Sequence, residues 1–169
     1  MRIDLAGLFL VLTIAVVNAQ QRTISFPSGV HFETGDTWTH EGRRYRLFGV
    51  QACIRGTVYR SKEGEEGDCG IRSIASLAAL FSTGTIACQP IGAARTETAL
   101  VVCAAEIDGA TVDVGTALIS SGAAFSATLP SGAPVTSAYA VAELTAKHHR
   151  TGLWSGTFDH PVTVLWGSR

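Results

Sequence analysis

The fold of this chain is set by residues 29–54, which read GVHFETGDTWTHEGRRYRLFGVQACI. β-Branched and aromatic residues are dense at Thr37–His40 and again at Arg44–Val50, a composition that is typical of strands. Glu41-Gly42 lies between the two runs and suits a tight two-residue turn. The stretch therefore predicts a β-hairpin.

The second strand of this hairpin has two different faces. Because side chains alternate along a strand, Tyr45 and Leu47 fall on one face and Arg44 and Arg46 on the other. The turn that precedes the hairpin places the carboxylate of Asp36 at a strand start. If the hairpin closes as predicted, Asp36 lies close to Arg46.

The N-terminus has the organisation of a secretory signal peptide. Arg2 precedes an apolar run from Leu5 to Val17, and small residues follow up to Ala19. We place cleavage after Ala19, so that residues 1–19 are the signal peptide and residues 20–169 form a single domain with a short C-terminal tail. An uncleaved membrane anchor is the alternative, but the run is shorter than the roughly 20 residues that a spanning helix needs. We therefore expect a periplasmic or secreted protein.

The composition of the mature chain is that of an ordinary globular domain. About 150 residues follow the predicted cleavage site, enough for one domain with a substantial core. The formal net charge is −1 and the pI is about 6.5, so the chain lacks the basic character that non-specific nucleic-acid binding requires. No second long apolar run follows, and we expect a monomer that does not associate with a membrane after signal cleavage.

Four cysteines belong to the mature domain: Cys53, Cys69, Cys88 and Cys103. In an exported protein an even number of cysteines predicts disulfides, and four cysteines allow three different pairings. A zinc site is the rival interpretation, but no Cys-x-x-Cys or Cys/His spacing supports it, and the five histidines have no partners at ligand spacing. Buried free thiols are the third possibility. We predict two disulfides.

The remaining sequence predicts strands and helices in alternation. Arg55–Asp68 is rich in glycine and charge and predicts an exposed loop. Ile71–Ser82 has helical apolar spacing, with Asp68 as a candidate cap. Thr85–Gln89 and Ala99–Glu106 predict two strands.

Two further helices are predicted nearer the C-terminus. Asp108-Gly109 makes a turn, and Asp113 then begins a short helix over Val114–Ser121. Thr128–Pro134 predicts a loop, and the last helix runs from about Ser137 to Arg150. We expect that last helix to bury part of one face, formed by Tyr139, Ala142, Leu144 and Ala146.

Several segments, in the same order along the chain, resemble the staphylococcal-nuclease-like (thermonuclease) family. Gly35-Asp36-Thr37 and Arg46-Leu47-Phe48-Gly49-Val50 resemble the family's first turn and the strand that carries an arginine. Residues 108–124 resemble its Asp-Gly segment, residues 139–154 its closing Tyr, Glu, Ala and Gly-Leu-Trp pattern, and residues 156–166 the tail of exported bacterial members. The resemblance implies an α+β fold, a five-stranded OB-fold β-barrel with three helices.

Within the exported branch, two segments resemble the rhizobial group often labelled succinoglycan biosynthesis protein. These segments are Gly49–Gly56, with its Gly-Val-Gln-x-Cys-Ile-Arg-Gly pattern, and Asp68-Cys69-Gly70. This resemblance implies a role near exopolysaccharide assembly.

The resemblance also implies an active site that has lost several of its residues. Family nucleases cleave phosphodiesters with Ca²⁺ held by two aspartates and a carbonyl, a glutamate that activates water, and two arginines. Asp36 matches the first aspartate and Arg46 the first arginine, whereas Gln51 replaces the second aspartate and Ile54 the glutamate. Arg95 lies several residues too early for the second arginine. We therefore expect Arg46 to be a vestigial phosphate contact and Asp36 and Gln51 a weak or lost Ca²⁺ site, with no cofactor otherwise.

Two classes of function follow from these matches. The first is an exported, non-catalytic OB-fold module that binds a ligand or protein partner, with Trp38 and Tyr45 either stacking on that ligand or packing in the core. The second is a secreted Ca²⁺-dependent nuclease with a rearranged site, for which nucleic acid is the substrate. A purely structural turn cap and ion pair is the competing interpretation of Asp36 and Arg46.

The strand order implied by the resemblance also chooses a disulfide pairing. If the strands that contain Cys88 and Cys103 are antiparallel neighbours, as the family implies, these two residues lie at bridging distance. Cys53 and Cys69 then form the second disulfide, which tethers the segment after the hairpin beside the degenerate site.

Overall fold

The computed structural model describes residues 23–93 and 97–167, and these form the predicted α+β fold. A curled mixed sheet carries most of the strands, and four α-helices are found in the described residues. The predicted signal peptide, residues 1–19, and Arg95 lie outside the described residues. The strands are β1 (Ile24–Phe26), β2 (His31–Thr34), β3 (Thr37–His40), β4 (Arg43–Leu47), β5 (Val50–Ala52), β6 (Val58–Arg60), β7 (Glu66–Asp68), β8 (Ile86–Ala93), β9 (Ala99–Ile107), β10 (Ala110–Asp113), β11 (Ala124–Ser126) and β12 (Thr157–Phe158).

The predicted hairpin is formed by β3 and β4. The strands are antiparallel, with Trp38 opposite Tyr45. Glu41 and Gly42 connect them, with φ angles of 50° and 73°. Two successive positive φ angles match the right-handed twist of a hairpin, and glycine adopts this conformation without a Cβ penalty. The hairpin prediction is confirmed.

The main sheet has the strand order β1-β8-β9-β4-β3-β2, and β10 pairs with β9. All its pairs are antiparallel except β4 and β9, which run parallel. Strand β10, which follows the Asp108-Gly109 turn, was not predicted. Its pairing with β9 brings Asp113 to the start of the next helix.

Arg55–Asp68 is exposed over most of its length, as predicted, but the prediction that it is a loop is wrong. Strands β6 and β7 form a hairpin there, and β12 from the C-terminal tail adds to it as a third strand. The glycines and charges that suggested a loop lie mostly on its surface, while Tyr59 is buried against the tail. A single buried aromatic residue gives too little periodicity to predict a strand.

The helices are α1 (Cys69–Thr83), α2 (Val114–Ser120), α3 (Ser137–His149) and α4 (Pro161–Trp166), with a 3₁₀ turn at Gly152–Ser155. Asp68 caps α1 by accepting a hydrogen bond from the N–H of Ile71, and Asp113 caps α2 by accepting one from Thr116. The three predicted helices are confirmed, and α4 is an additional helix in the tail. In α3, Tyr139 and Ala146 are buried as expected, but Leu144 is 65% exposed, which corrects the predicted face.

Buried apolar residues form two clusters. The larger, here called the sheet cluster, lies between the main sheet and helices α1 and α2 and includes Trp38, Tyr45, Leu77 and Phe81. Trp38 is fully buried and Tyr45 nearly so. Both pack in the core, which removes them as stacking surfaces for a ligand. The smaller, here called the tail cluster, consists of Cys53, Tyr59, Cys69, Phe125 and Leu153.

Each cluster contains one of the two disulfides. Cys88 and Cys103 are directly opposite on β8 and β9 and are bonded, with Cα atoms 4.0 Å apart. Cys53 and Cys69 are bonded in the tail cluster, with Cα atoms 5.6 Å apart. The predicted pairing is confirmed, and both disulfides fit an extracellular or periplasmic protein. Across residues 23–93 and 97–167, the helices are too short or too polar to cross a membrane.

Candidate functional site

The site residues predicted from the sequence come together in one cavity. Asp36, Arg46, Gln51 and Ile54 all line a space of about 380 Å³, which is within the size range of small-molecule sites. The cavity is bounded by the turn between β2 and β3, by β4, by β5 and the segment after it, and by α4. The remaining lining residues are Thr34, Thr37, Arg44, Ala52, Cys53, Arg55 and Leu165.

The carboxylate of Asp36 is almost completely buried and fully engaged in hydrogen bonds. Oδ1 accepts hydrogen bonds from the hydroxyl groups of Thr34 and Thr37, the latter at 2.9 Å. Oδ2 accepts from Arg46 Nε at 3.2 Å and lies 3.0 Å from Arg46 Nη2, with the N–H of Ala52 at 3.4 Å. These donors compensate the charge of a side chain that is 4% exposed.

Arg46 joins Asp36 and Gln51 into one hydrogen-bond network. Its Nη2 donates to Oε1 of Gln51 at 3.1 Å, and Nε2 of Gln51 donates to the carbonyl of Ala52 at 3.0 Å. A guanidinium therefore lies between Asp36 and Gln51 and holds an oxygen of each. The Arg46 side chain is 40% exposed and lines the cavity.

This donor set does not fit calcium. Ca²⁺ takes about six to eight oxygen ligands, usually including several carboxylates, whereas Asp36 is the one carboxylate among the described residues that line the cavity. Its oxygens already accept several donors, and Oε1 of Gln51 accepts from Arg46. No group of three or more histidines, cysteines, aspartates or glutamates is placed to hold a metal anywhere in the described part of the chain.

Ile54 lies in the cavity at the position that the family resemblance assigns to a glutamate. Its side chain carries no group that takes or gives a proton. Its backbone carbonyl accepts hydrogen bonds from both the N–H and the hydroxyl of Thr57, at 3.3 and 2.7 Å, and so closes the turn that follows. General-base catalysis at this position is therefore absent.

Two contacts fix the cavity wall against α1. A Cβ at Gly35 would lie 2.4 Å from Cβ of Ser73, so only glycine lets the turn before β3 approach the helix this closely. Ser73 is fully buried, accepts a hydrogen bond from the N–H of Cys53 at 3.1 Å and donates one to the carbonyl of Ala123 at 2.6 Å. These contacts hold the turn before β3 and the segment at Cys53 against α1.

The segment that carries Arg55 is fixed by Asp68. Oδ2 of Asp68 accepts from the N–H of Gly56 at 2.8 Å, and Oδ1 accepts from the N–H of Ile71 at 3.0 Å. These two backbone hydrogen bonds hold the pKa of Asp68 below its usual value. The disulfide Cys53–Cys69 ties the same two segments together.

Three lining residues were given no role by the sequence. Arg44 was placed on the face of Arg46, and the structure adds an ion pair between its Nη2 and Glu33 Oε2 at 2.7 Å. Arg55 directly follows Ile54, which stands where the resemblance implies a glutamate, and a cation at that point of the sequence was a signal for it. Leu165 comes from α4, and the sequence offered no sign that the tail crosses the cavity.

The histidines lie away from the cavity. His148 and His149 are exposed neighbours on α3, and His31 is exposed on β2. His160 caps α4, since its Nδ1 accepts from the N–H of Val162 at 3.2 Å, and its Nε2 lies 3.4 Å from Glu143. These are structural contacts, and they do not form a second polar site.

Comparison with known proteins adds no identity. No protein-family model matches the sequence, and no curated protein matches it. Function is therefore inferred from the cavity.

Proposed function

We propose that this chain is an exported, non-catalytic module of nuclease-like OB fold that binds an anionic ligand or partner in the cavity around Arg46. The observation that carries the proposal is the position of the Arg46 guanidinium, which bonds to both Asp36 and Gln51. In the family that the sequence resembles, residues at the positions of Asp36 and Gln51 hold the metal; here a guanidinium bonds to both of them and also lines the cavity.

The strand order supports the OB fold. Strands β1 and β2 are successive in the chain, separated by residues 27–30, and lie at the two ends of the sheet path β1-β8-β9-β4-β3-β2. One bent strand that pairs with β8 through its first half and with β3 through its second half closes such a path into a barrel. The parallel pair β4 and β9 completes a five-stranded order.

The absence of a base supports a binding role. Family nucleases need a carboxylate to activate water, and removing a general base typically costs 10²–10⁴ in rate. Here Ile54 stands in its place, Gln51 replaces a charged ligand, and Asp36 is already bonded to Arg46. These losses are not additive, and the one carboxylate among the described lining residues, Asp36, already accepts hydrogen bonds from Arg46 and its neighbours.

The arginines support an anionic ligand. Arg44 and Arg46 are 46% and 40% exposed, and Arg55 is also on the surface of the cavity. A guanidinium presents a planar set of donors that matches carboxylates and phosphates. The link to exopolysaccharide assembly rests on the resemblance of the Gly49–Gly56 segment alone, and it suggests acidic saccharides as ligands to try.

The alternative function is a Ca²⁺-dependent nuclease with a rearranged site. The juxtaposition of Asp36 and Arg46 favours it, because this pair occupies the positions of a metal ligand and a phosphate contact in the family that the sequence resembles. The two proposals differ in one measurable property, which is chelator-sensitive cleavage.

The test uses the exported protein with single-stranded DNA and RNA, in Ca²⁺ or in chelator. We expect no cleavage above background in either condition. Digestion that needs Ca²⁺ and is lost in Asp36→Ala would overturn the non-catalytic proposal. The double variant Gln51→Asp with Ile54→Glu introduces two carboxylates. We expect calorimetry to show a higher Ca²⁺ affinity in this variant even where no cleavage is detected.

Ligand binding is tested separately by titrating small anions while recording amide and arginine Nε–H NMR signals. We expect saturable shifts at Arg46 and along β5 that are lost in Arg46→Gln. Arg43→Gln is the matched control, because it removes the same charge from the opposite face of β4. Equal binding by both variants would exclude the cavity as the anion site.

A further inference from the structure

The cavity combines its arginines with an apolar wall that an inorganic anion does not need. Ile54 and Leu165 line the same space as Arg46 and Arg55. Leu165 is 52% exposed, so burying it would be favourable by roughly 25 cal/mol per Å² of apolar surface. A ligand that occupies the whole cavity therefore meets cations on one side and aliphatic side chains on the other.

The apolar wall is held in place by the tail. Pro161 at the start of α4 is buried, His160 caps the helix, and β12 immediately before it pairs with β6. His160 in turn contacts the ring of Phe125 in the tail cluster, with centroids 4.6 Å apart. These contacts fix α4, and with it Leu165, over the cavity.

The local charge balance favours a monoanion. Three arginines, Arg44, Arg46 and Arg55, line the cavity together with the one carboxylate of its described lining residues, that of Asp36. Glu33 lies outside the lining and compensates Arg44. Two carboxylates against three guanidinium groups leave one positive charge in this set. Arg55 forms no ion pair with any residue of the described segments, but the nearby carboxylate of Asp68 interacts with it electrostatically, so the excess is no more than one positive charge. A single carboxylate would balance that excess, and it also matches the donor geometry of a guanidinium.

We infer that the ligand of this cavity is a carboxylate monoanion that carries a short apolar substituent. The carboxylate bonds to Arg46 and Arg55, and the substituent lies against Ile54 and Leu165. The inference rests on the proposed function, since it names the chemical class of the anion that the cavity binds.

The test is a homologous series of acetate, butyrate and hexanoate, titrated against the full exported protein at constant ionic strength. Each methylene that is buried contributes about 0.8 kcal/mol, or about fourfold in Kd. Because the cavity is open on one side, we expect Kd to fall between roughly two- and fourfold per added methylene. Hexanol tests the need for charge, and inorganic phosphate at pH 8 tests the preference for a monoanion. Both should bind more weakly than hexanoate.

Two variants separate the charged and apolar contacts. Leu165→Ala should reduce the dependence of Kd on chain length, weakening hexanoate more than butyrate and butyrate more than acetate. Arg55→Gln should weaken all three carboxylates by a similar factor and leave that dependence intact. Leu144→Ala is the control for Leu165, because Leu144 is also exposed and lies on α3 outside the cavity.

The outcomes distinguish this inference from the proposed function. If anions bind at Arg46 with a Kd that does not depend on chain length, or if phosphate or hexanol binds as tightly as hexanoate, the inference is overturned and the anion site stands. If no anion in the series binds, the proposed function fails and the inference fails with it. The wild-type series decides between these cases even where a variant does not fold.

Discussion

The sheet cluster and the tail cluster each contain one disulfide, and the two disulfides hold different parts of the molecule together. The two disulfides close loops of nearly equal length, with sequence separations of 15 for Cys88–Cys103 and 16 for Cys53–Cys69. In the chain-entropy model both contribute about 3 kcal/mol. Cys88–Cys103 joins two strands that already pair along most of their length. Cys53–Cys69 instead joins the segment after β5 to the first residue of α1, beside the cavity.

This difference shows how the site is supported. The sheet cluster supplies a framework that its own hydrogen bonds and packing maintain. The tail cluster packs the C-terminal segment against Phe125 and Tyr59, and this packing positions α4 over the cavity. The two clusters meet in α1, which carries Cys69 at its first residue and Leu77 further along.

The largest expected effect on stability comes from truncating a buried leucine in either cluster, which leaves a cavity. Leu77→Ala in the sheet cluster and Leu153→Ala in the tail cluster remove leucines that are 0% and 3% exposed, and each should lower the free energy of unfolding by about 2–5 kcal/mol. Because α1 belongs to both clusters, we expect one cooperative transition in urea for both variants, with an unchanged m-value. A separate early transition in Leu153→Ala alone would show that the tail unfolds independently.

The second effect comes from the disulfides. Cys53→Ala with Cys69→Ala, and Cys88→Ala with Cys103→Ala, should each lower the free energy of unfolding by about 3 kcal/mol. Only the first pair should also weaken anion binding, since Cys53 lines the cavity and Cys69 begins the helix behind it. Urea denaturation and the NMR titration measure the two quantities. Equal loss of binding in both pairs would contradict the separate roles of the clusters.

The sheet cluster was largely predictable from the sequence. In the hairpin and in helix α1, apolar residues recur at the spacing of a strand or of a helix. The buried residues among them include Trp38, Tyr45, Leu77 and Phe81. The pairing of Cys88 with Cys103 followed once the two strands were taken as neighbours. The apolar spacing is a local signal that needs no knowledge of tertiary contacts, whereas the cysteine pairing depended on the strand order that the family resemblance implies.

The tail cluster was predicted poorly because its contacts are non-local. Tyr59 meets Ser155, whose hydroxyl lies 3.0 Å from the tyrosine hydroxyl, across 96 positions of sequence. Neither β6 nor β12 has a periodic apolar face, so pairing between them could not be predicted. For the same reason only part of the site was predicted. The contact between Asp36 and Arg46 follows from the hairpin. The position of Leu165 in the cavity depends on how the C-terminal tail packs, which the sequence does not indicate.

The third effect comes from neutralising a carboxylate, either that of Asp36 at the cavity or that of Glu143 on α3, which contacts His160 of the tail. Asp36→Asn places an amide N–H₂ where threonine hydroxyls, Arg46 and the N–H of Ala52 already donate, and hydrogen bonds to a charged group contribute about 1.5–3 kcal/mol each. We expect a loss of about 2 kcal/mol in the free energy of unfolding. Glu143→Gln should cost less than about 1 kcal/mol, because the amide oxygen still accepts the hydrogen bond from the N–H of Ser126 at 2.7 Å.

Urea denaturation at pH 7 measures both variants, and a double variant tests whether the two losses add. Within the described residues the two side chains share no hydrogen-bond or ion-pair partner, so additivity within about 0.5 kcal/mol is expected. If Glu143→Gln lowers the free energy of unfolding more than Asp36→Asn does, the contacts of Glu143, and not the Arg46 network, contribute more to stability.

The smallest effect is confined to the sheet cluster and to alkaline pH. Tyr139 is 7% exposed, and its pKa is raised above its usual value by burial and by the nearby carboxylate of Asp113. The unfolded chain loses this proton near pH 10 whereas the folded chain retains it, so the stabilisation is complete below pH 10 and is lost as the pH rises further. Tyr139 should therefore contribute a slope of at most about 1.4 kcal/mol per pH unit between pH 10 and 11. In Tyr139→Phe the free energy of unfolding should fall less steeply over this interval than in the wild type, as measured by urea denaturation at a series of pH values. Identical slopes in the two proteins would show that the tyrosine ionises equally in the folded and unfolded states.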